Sequence, residues 1–318
     1  MKVALQEIYS RMYLIRRAEE KICDLYPEDD MKTPMHMSMG QEATPAALAV
    51  AFGDRSRVVS TYRSHAPFLA QTRNVDKFFC ELYGKVNGTA RGRSGSMHLA
   101  DPERGHICST AIVGAGLPLA LGIAFASKYK SDESVAISYF GDGAIEEGGF
   151  WETLNAASLM RLPLLMVCED NEYAVHTKKN ERRGFSSIKK IVEAFDCEYM
   201  YDDSNDAEQI YKKAMEARDV IYGHSRPVFM HIKCLRYLEH VGIRNDLEDE
   251  YRYSADKIFS IESDALKIMK RKLEKFLDSS SILALEASID DEINAAVELA
   301  KKSDLPEISE LLSGVYFD

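Results

Sequence analysis

The sequence predicts an α/β protein: a doubly wound, mostly parallel sheet with helices on both faces and a helical C-terminal tail. Three observations carry this. Apolar runs rich in β-branched and aromatic residues recur at 134–140 (SVAISYF), 163–168 (PLLMVC) and 228–234 (VFMHIKC). Each is too short for a helix and none alternates, as befits strands buried on both faces. Helical patterns lie between them, such as Phe150, Leu154, Ala157 and then Ile210, Ala214, Ala217, Ile221 on one face of 206–222. Finally, 318 residues at 46% hydrophobic and 29% charged can bury a large core, which excludes a disordered chain.

In chain order, 2–26 reads as a helix. Residues 105–127 carry no Asp, Glu, Lys or Arg and are long enough to cross a membrane, but their first third (Gly105, His106, Ser109, Thr110) is polar. A buried helix starting near Gly114 and packing through its glycines is the better reading. Strand 134–140 runs into Gly141-Asp142-Gly143, with a helix expected from about Glu146. The chain closes with helices at 257–278 and 287–303, the latter carrying Ile289, Ile293, Ala296 and Ala300 on one face. Ser279 to Ser281 is the only plausible hinge and is too short to separate domains. One domain spanning 1–318, with a helical tail from about 255, is therefore expected.

A net charge of −11 gives no general attraction for nucleic acid or an anionic membrane. The N-terminus shows neither a signal peptide nor a lipidation motif. The six cysteines form no C-x-x-C pair, which points away from zinc ribbons and disulfide frameworks and toward reduced thiols in the cytoplasm.

Asp142 stands at the carboxyl end of a parallel strand, where ligands bind in open α/β sheets. The interval to Asn171 holds one turn, one helix and one strand, so Glu169, Asp170, Asn171, Glu172 and Tyr173 emerge at the same edge. A carboxylate, a carboxamide and loop carbonyls are hard oxygen donors that suit Mg²⁺ on a diphosphate. Alone, Gly-Asp-Gly is also an ordinary turn with a capping aspartate; Asn171 at the equivalent point of the next strand favours the metal.

Gly-Asp-Gly followed at this distance by Asn resembles the thiamine diphosphate motif. The segment GDGAIEEGGFWETLNAASLMRLPLLMVCEDNEYAVHT resembles the alpha subunit of the first, decarboxylating component of two-subunit 2-oxo acid dehydrogenases (the pyruvate, branched-chain and acetoin dehydrogenase family). The resemblance extends to LIRRAEEKI (14–22), MSMGQEA (37–43), VVSTYRSHA (58–66), ELYGK (81–85), GRSGSMH (92–98), IVGAGLPLALGIAFASKY (112–129) and AAVELAKKSDLP (295–306) with Val315 and Tyr316.

It implies that Asp142, Asn171 and the carbonyl of Tyr173 bind Mg²⁺, and that Tyr62 and Arg63 hold the diphosphate, an arginine fork matching a pair of phosphate oxygens. Arg236 and His240 match basic residues on a loop over the cofactor. Gly143 and Ala144 belong to the same cofactor motif. Ala111 and Val113 match positions whose backbone faces the aminopyrimidine, and Val175 matches the apolar residue that bends the cofactor. The resemblance further implies a 2-oxo acid substrate, a beta subunit that supplies the activating glutamate in an α₂β₂ assembly, and in the dehydrogenase case a lipoyl acyltransferase.

Of eight histidines, His36, His106, His224 and His231 read as packing residues and His98 is balanced. His65, beside Tyr62 and Arg63, is a candidate for substrate contact or loop ordering. His240 is the best catalytic candidate, an imidazole past the carboxyl end of a strand that could move a proton near neutral pH. Departures from the family pattern concentrate here. Glu239, His240, Val241 stand where Gly-His-Ser is usual, so no hydroxyl follows the histidine and a phosphorylation switch cannot act there. The run Arg244 to Glu250 differs, Tyr251 and Arg252 return to the pattern, and Asp170 replaces the first asparagine of a pair. Lys178, Lys179, Arg182 and Arg183 read as a basic loop on a solvated face, with contact to a partner as the alternative. The unusual lid keeps a carboligase open as an alternative, with an aldehyde or keto sugar as acceptor; a non-catalytic scaffold paralogue is a second.

Overall fold

A computed structural model describes residues 2–247, 249–252, 263–310 and 312–313. Six parallel strands form the main sheet: β1 (Ser56–Thr61), β2 (His106–Thr110), β3 (Val135–Gly141), β4 (Leu164–Asp170), β7 (Glu198–Asp202) and β8 (Val228–Lys233), in the order β2-β1-β3-β4-β8-β7. A two-stranded antiparallel ribbon, β5 (Tyr173–Ala174) and β6 (Thr177–Lys178), follows β4. The central strands are buried along their whole length apart from Gly141, which explains their unbroken apolar character.

Alternate residues of these strands feed two cores. Ile137 and Tyr139 of β3, with Leu165 and Val167 of β4, pack toward α1 (Lys2–Leu25), α2 (Ala43–Phe52) and α8 (Ala207–His224). Ala136, Phe140 and Met166 point the other way, toward α5 (Gly116–Lys130), α6 (Gly148–Met160) and α7 (Ile188–Ala194). A buried phenylalanine such as Phe140 or Phe150 contributes roughly 1.5–3 kcal/mol, so the two layers fix the sheet firmly. A third cluster joins α1, α3 (His65–Thr72), α4 (Val75–Leu82) and α10 (Ser279–Lys302). Helix α9 (Ala265–Leu273) packs on α1.

Three expectations change. Ser279–Ser281 is no hinge but the first turn of α10, because Asp278 caps that helix, its carboxylate accepting the Ser281 N–H. The helix expected near Gly114 starts at Gly116, since Gly114 takes a left-handed φ of 80° that no helix admits; the polar stretch before it is β2. After Asp142 a 3₁₀ turn, Asp142–Glu146, intervenes before α6 begins at Gly148. Strands β1, β2 and β7 were not expected. Of the predicted helix 257–278, residues 257–262 lie outside the described residues, as do Val315 and Tyr316. All six cysteines are free thiols. Among the described residues no helix is long and apolar enough to cross a membrane.

Candidate active site

Strand order reverses at β1 and β3, from which the chain proceeds to β2 on one side and β4 on the other. The crevice outside the carboxyl ends of such neighbours is where α/β sheets bind ligands. A cleft of about 430 Å³ opens there, lined among others by Tyr62, Arg63, Val113, Gly143, Ala144, Asn171, Tyr173, Val175 and His240. All nine stand at positions that the family resemblance covers.

Asp142 follows the last residue of β3, and Gly141 pairs with Glu169 of β4, so Asp142 and Asn171 leave the sheet side by side. The Asp142 carboxylate is buried. Its Oδ2 accepts from Arg182 Nη2 at 2.5 Å, while its Oδ1 has no hydrogen-bond partner. Burial, followed by the charge of Asp170, pushes this carboxyl up to about 6 against the pull of Arg182. An unsatisfied buried carboxylate oxygen is costly unless a cation or donor meets it. Asn171 Oδ1 accepts the Tyr173 N–H at 3.1 Å, an Asx turn that leaves it a second lone pair. These donors fit a small divalent ion that keeps phosphates and waters in its remaining positions.

Across the cleft, Arg63 is buried, donating to the Met37 carbonyl at 2.5 Å and to the His240 carbonyl at 3.1 Å. Burial, with Arg236 nearby, brings it down to about 10. Tyr62, His36 and His240 form an aromatic triplet with centroids 4.5–5.6 Å apart. Burial first, then Arg63 and Arg236, lowers His240 to about 4, so its ring is neutral at pH 7. His36, expected as packing, is one of this triplet; its Nδ1 is buried and unpartnered, and burial lowers it to about 3. No motif marked it. Glu169 also lines the cleft, with a buried unpartnered Oε1, and burial raises it to about 8. Val175 forms the tip of the β5–β6 ribbon with φ 55°, a strained value for a β-branched residue.

Four named residues are not on the wall of the cleft: Asp142 is buried just beneath it, between the lining residues Gly141 and Gly143. His65 is fully buried behind it, its Nδ1 2.9 Å from Glu19 and its Nε2 2.7 Å from Ser96. Ala111 immediately precedes the lining pair Ile112 and Val113. Arg236 is buried in the lid, donating to the Leu238 carbonyl, Asp246 and Tyr251.

The basic loop is not a solvated face. Arg182 and Arg183 are only 10% and 7% exposed, because they pair with Asp142 and Glu146. Lys179 reaches Asp170 at 2.7 Å. Burial pushes Asp170 up, but His231, Lys233 and Lys179 outweigh it and hold the carboxyl well below the usual range. The substituted aspartate is thus tied to His231 and two lysines rather than left free.

Residues 10–309 match the family described as dehydrogenase E1 component. The chain belongs to that family. It is 30% identical over 310 residues to the alpha subunit of acetoin:2,6-dichlorophenolindophenol oxidoreductase from Bacillus subtilis (strain 168), covering 97% of this chain and 92% of the relative. The pyruvate dehydrogenase E1 component subunit alpha of Rickettsia typhi (strain ATCC VR-144 / Wilmington) is 30% identical over 312 residues, covering 97% and 94%. The Zymomonas mobilis subsp. mobilis (strain ATCC 31821 / ZM4 / CP4) protein of the same name is 30% identical over 316 residues, covering 98% and 88%. As a family member, the chain is a thiamine diphosphate-dependent, decarboxylating dehydrogenase component of the alpha type.

Proposed function

We propose that this chain is the diphosphate-side subunit of a 2-oxo acid dehydrogenase, a single domain that holds Mg²⁺ and the cofactor's diphosphate and works with a beta subunit. The unpartnered Oδ1 of buried Asp142, which lies between Gly141 and Gly143 of the cleft that Asn171 and Arg63 also line, carries this reading. Asp142, Asn171 and the Tyr173 carbonyl would hold the ion; Tyr62 and Arg63 would take the diphosphate, with Gly143 and Ala144 admitting it closely. Bound thiamine diphosphate supplies the electron sink for loss of carbon dioxide. His240, neutral beside the buried Arg63, is placed to move a proton at the cleft mouth, and His65 orders the segment that carries Tyr62 and Arg63. Arg236 supports the lid rather than the diphosphate directly.

One side of the site is open. Ile112, Val113 and Val175 are exposed apolar residues on the cleft wall, and Leu119, Phe125 and Tyr129 are exposed on α5. An exposed apolar patch of this kind suits a protein interface, and a beta subunit seated there would bring the activating glutamate. The lid departures are structural: Glu239 pairs with Arg244 and packs against Gly242, leaving only His240 of that segment on the cleft. The match to the dehydrogenase E1 family over residues 10–309 supports transfer to a lipoyl domain over ligation to an aldehyde or keto sugar. The free thiols suit the cytoplasm.

The test uses the chain reconstituted with its beta subunit, given a short 2-oxo acid and an artificial electron acceptor, then a lipoyl domain, then aldehydes and keto sugars. Lipoyl acylation is the expected result, and His240→Ala should slow it about 10²- to 10⁴-fold, the size of a positioned proton carrier. Carbon–carbon bond products without lipoyl acylation would reassign the chain to a carboligase. Decarboxylation by the chain alone would refute the need for a partner.

A further inference from the structure

We propose that Arg182 is a built-in stand-in cation: paired with Asp142, it neutralises that carboxylate and keeps out free divalent ions, so that an ion enters only together with a diphosphate. This inference rests on the reading of Asp142 as a metal ligand.

The strap that delivers Arg182 is encoded locally. The β5–β6 ribbon turns the chain back at Val175 and His176, and a 3₁₀ turn, Lys179–Glu181, follows it. Lys179 ties that turn to Asp170 at 2.7 Å. Arg182 and Arg183 then lie over the end of β3. Arg182 Nη1 and Nη2 meet Glu146 and Asp142, Arg183 Nε meets Glu146 at 2.6 Å, and Arg183 Nη2 donates to the Asp142 carbonyl at 2.7 Å. The strap thus depends on Asp170, the carboxylate that stands where an asparagine is usual.

Charge decides the consequence. Two arginines face two carboxylates, so this cluster balances its own charge, and its desolvated pairs would be broken or crowded by a lone dication. A dication arriving with a diphosphate adds little or no net positive charge, and the phosphate oxygens offer Arg182 a bidentate partner in exchange for Asp142. Arg182 lines the same cleft as Asn171 and Arg63, within reach of such an anion.

The experiment titrates Mn²⁺ into the full chain without thiamine, following bound ion by electron paramagnetic resonance. Wild type should bind free Mn²⁺ weakly and gain at least tenfold in affinity when inorganic pyrophosphate is added. R182Q should bind free Mn²⁺ at least tenfold more tightly than wild type, and R182K, which keeps the charge, should behave like wild type. The gain should vanish in the double variant D142N/R182Q. R182M replaces R182Q if the latter fails to fold. The proposal is overturned if R182Q binds free Mn²⁺ no more tightly than wild type, if R182K matches R182Q, or if the gain survives loss of Asp142. Failure of the cofactor reading would show differently, as no binding of thiamine diphosphate with Mg²⁺, and leaves the Mn²⁺ comparison intact.

Discussion

On the sheet side of the cleft, Asp142 and Asn171 hang from two hydrogen-bonded strands whose register is set by layers of apolar side chains. On the lid side, the described residues between 234 and 252 form no helix or strand; backbone bonds from Tyr237 N–H to Met39 and Gly242 N–H to Met35 anchor them, and one buried carboxylate gathers their charges. Asp246 accepts from Arg236 at 2.9 Å, from Arg252 at 2.5 Å and from Tyr251. Arg252 also donates to the Arg236 carbonyl at 2.7 Å, which closes the knot. The sheet side is positioned by hydrophobic packing, the lid by an ionic hub. Packing spreads its contribution over many residues, whereas a hub concentrates it in one.

The largest effect is expected where the hub is broken. Asp246→Asn leaves two buried arginines short of a counter-charge, a local loss of about 3–5 kcal/mol. Hydrogen exchange should rise across 235–252 while the amides of β3 and β4 keep their protection. Equal loss in both regions would show that the two walls are not independent. Next in size, Arg63→Gln removes the charged donor that faces the diphosphate. It should weaken binding of inorganic pyrophosphate with Mg²⁺ by about 2 kcal/mol, roughly thirtyfold, in a calorimetric titration.

A pH dependence sharpens the contrast. His240 is held down at about 4, so the unfolded chain takes up a proton before the folded one as pH falls. Its contribution to stability is present above pH 6.5 and is lost between pH 6.5 and 4. Relative to His240→Asn, wild type should lose about 1 kcal/mol across that window, a figure discounted because the ring is only half buried. Melting curves of the two proteins from pH 4 to 8 measure it; a constant difference would contradict the neutral ring. The smallest effect is at the ribbon tip. Val175→Gly frees the left-handed backbone at the cost of glycine's extra entropy, for a net gain of about 0.5 kcal/mol in unfolding free energy. A loss of stability would mean the valine packs better than its exposure suggests.

The same contrast explains what was legible in the sequence. The runs at 134–140, 163–168 and 228–234 betray the central strands because burial on both faces leaves no polar residues to disguise them. Strand β2 (HICST) and β7 (EYMYD) lie at the two edges of the sheet and carry polar residues, so periodicity does not mark them. Asp142 and Asn171 were found because a strand end followed by a turn is a local pattern. The pairing of Arg182 with Asp142 joins residues far apart in the chain, and only the ribbon that folds Arg182 back makes it visible. His65 read as a funnel residue from its neighbours Tyr62 and Arg63. It opens α3, whose start turns it inward to Glu19 and Ser96. His36 gave no signal, since its place beside Tyr62 and His240 depends on three separate loops meeting.

The central claim is that the ends of β3 and β4 together hold a divalent ion on a diphosphate. Its most direct test is a calorimetric titration of thiamine diphosphate into the chain with its beta subunit, with and without Mg²⁺, for wild type, Asp142→Ala and Asn171→Ala. Wild type should bind only with Mg²⁺ present, and each substitution should weaken binding by roughly 2 kcal/mol or more, the cost of removing a buried charged or metal-facing partner. Affinity unchanged in both variants, or undiminished without the ion, would contradict it.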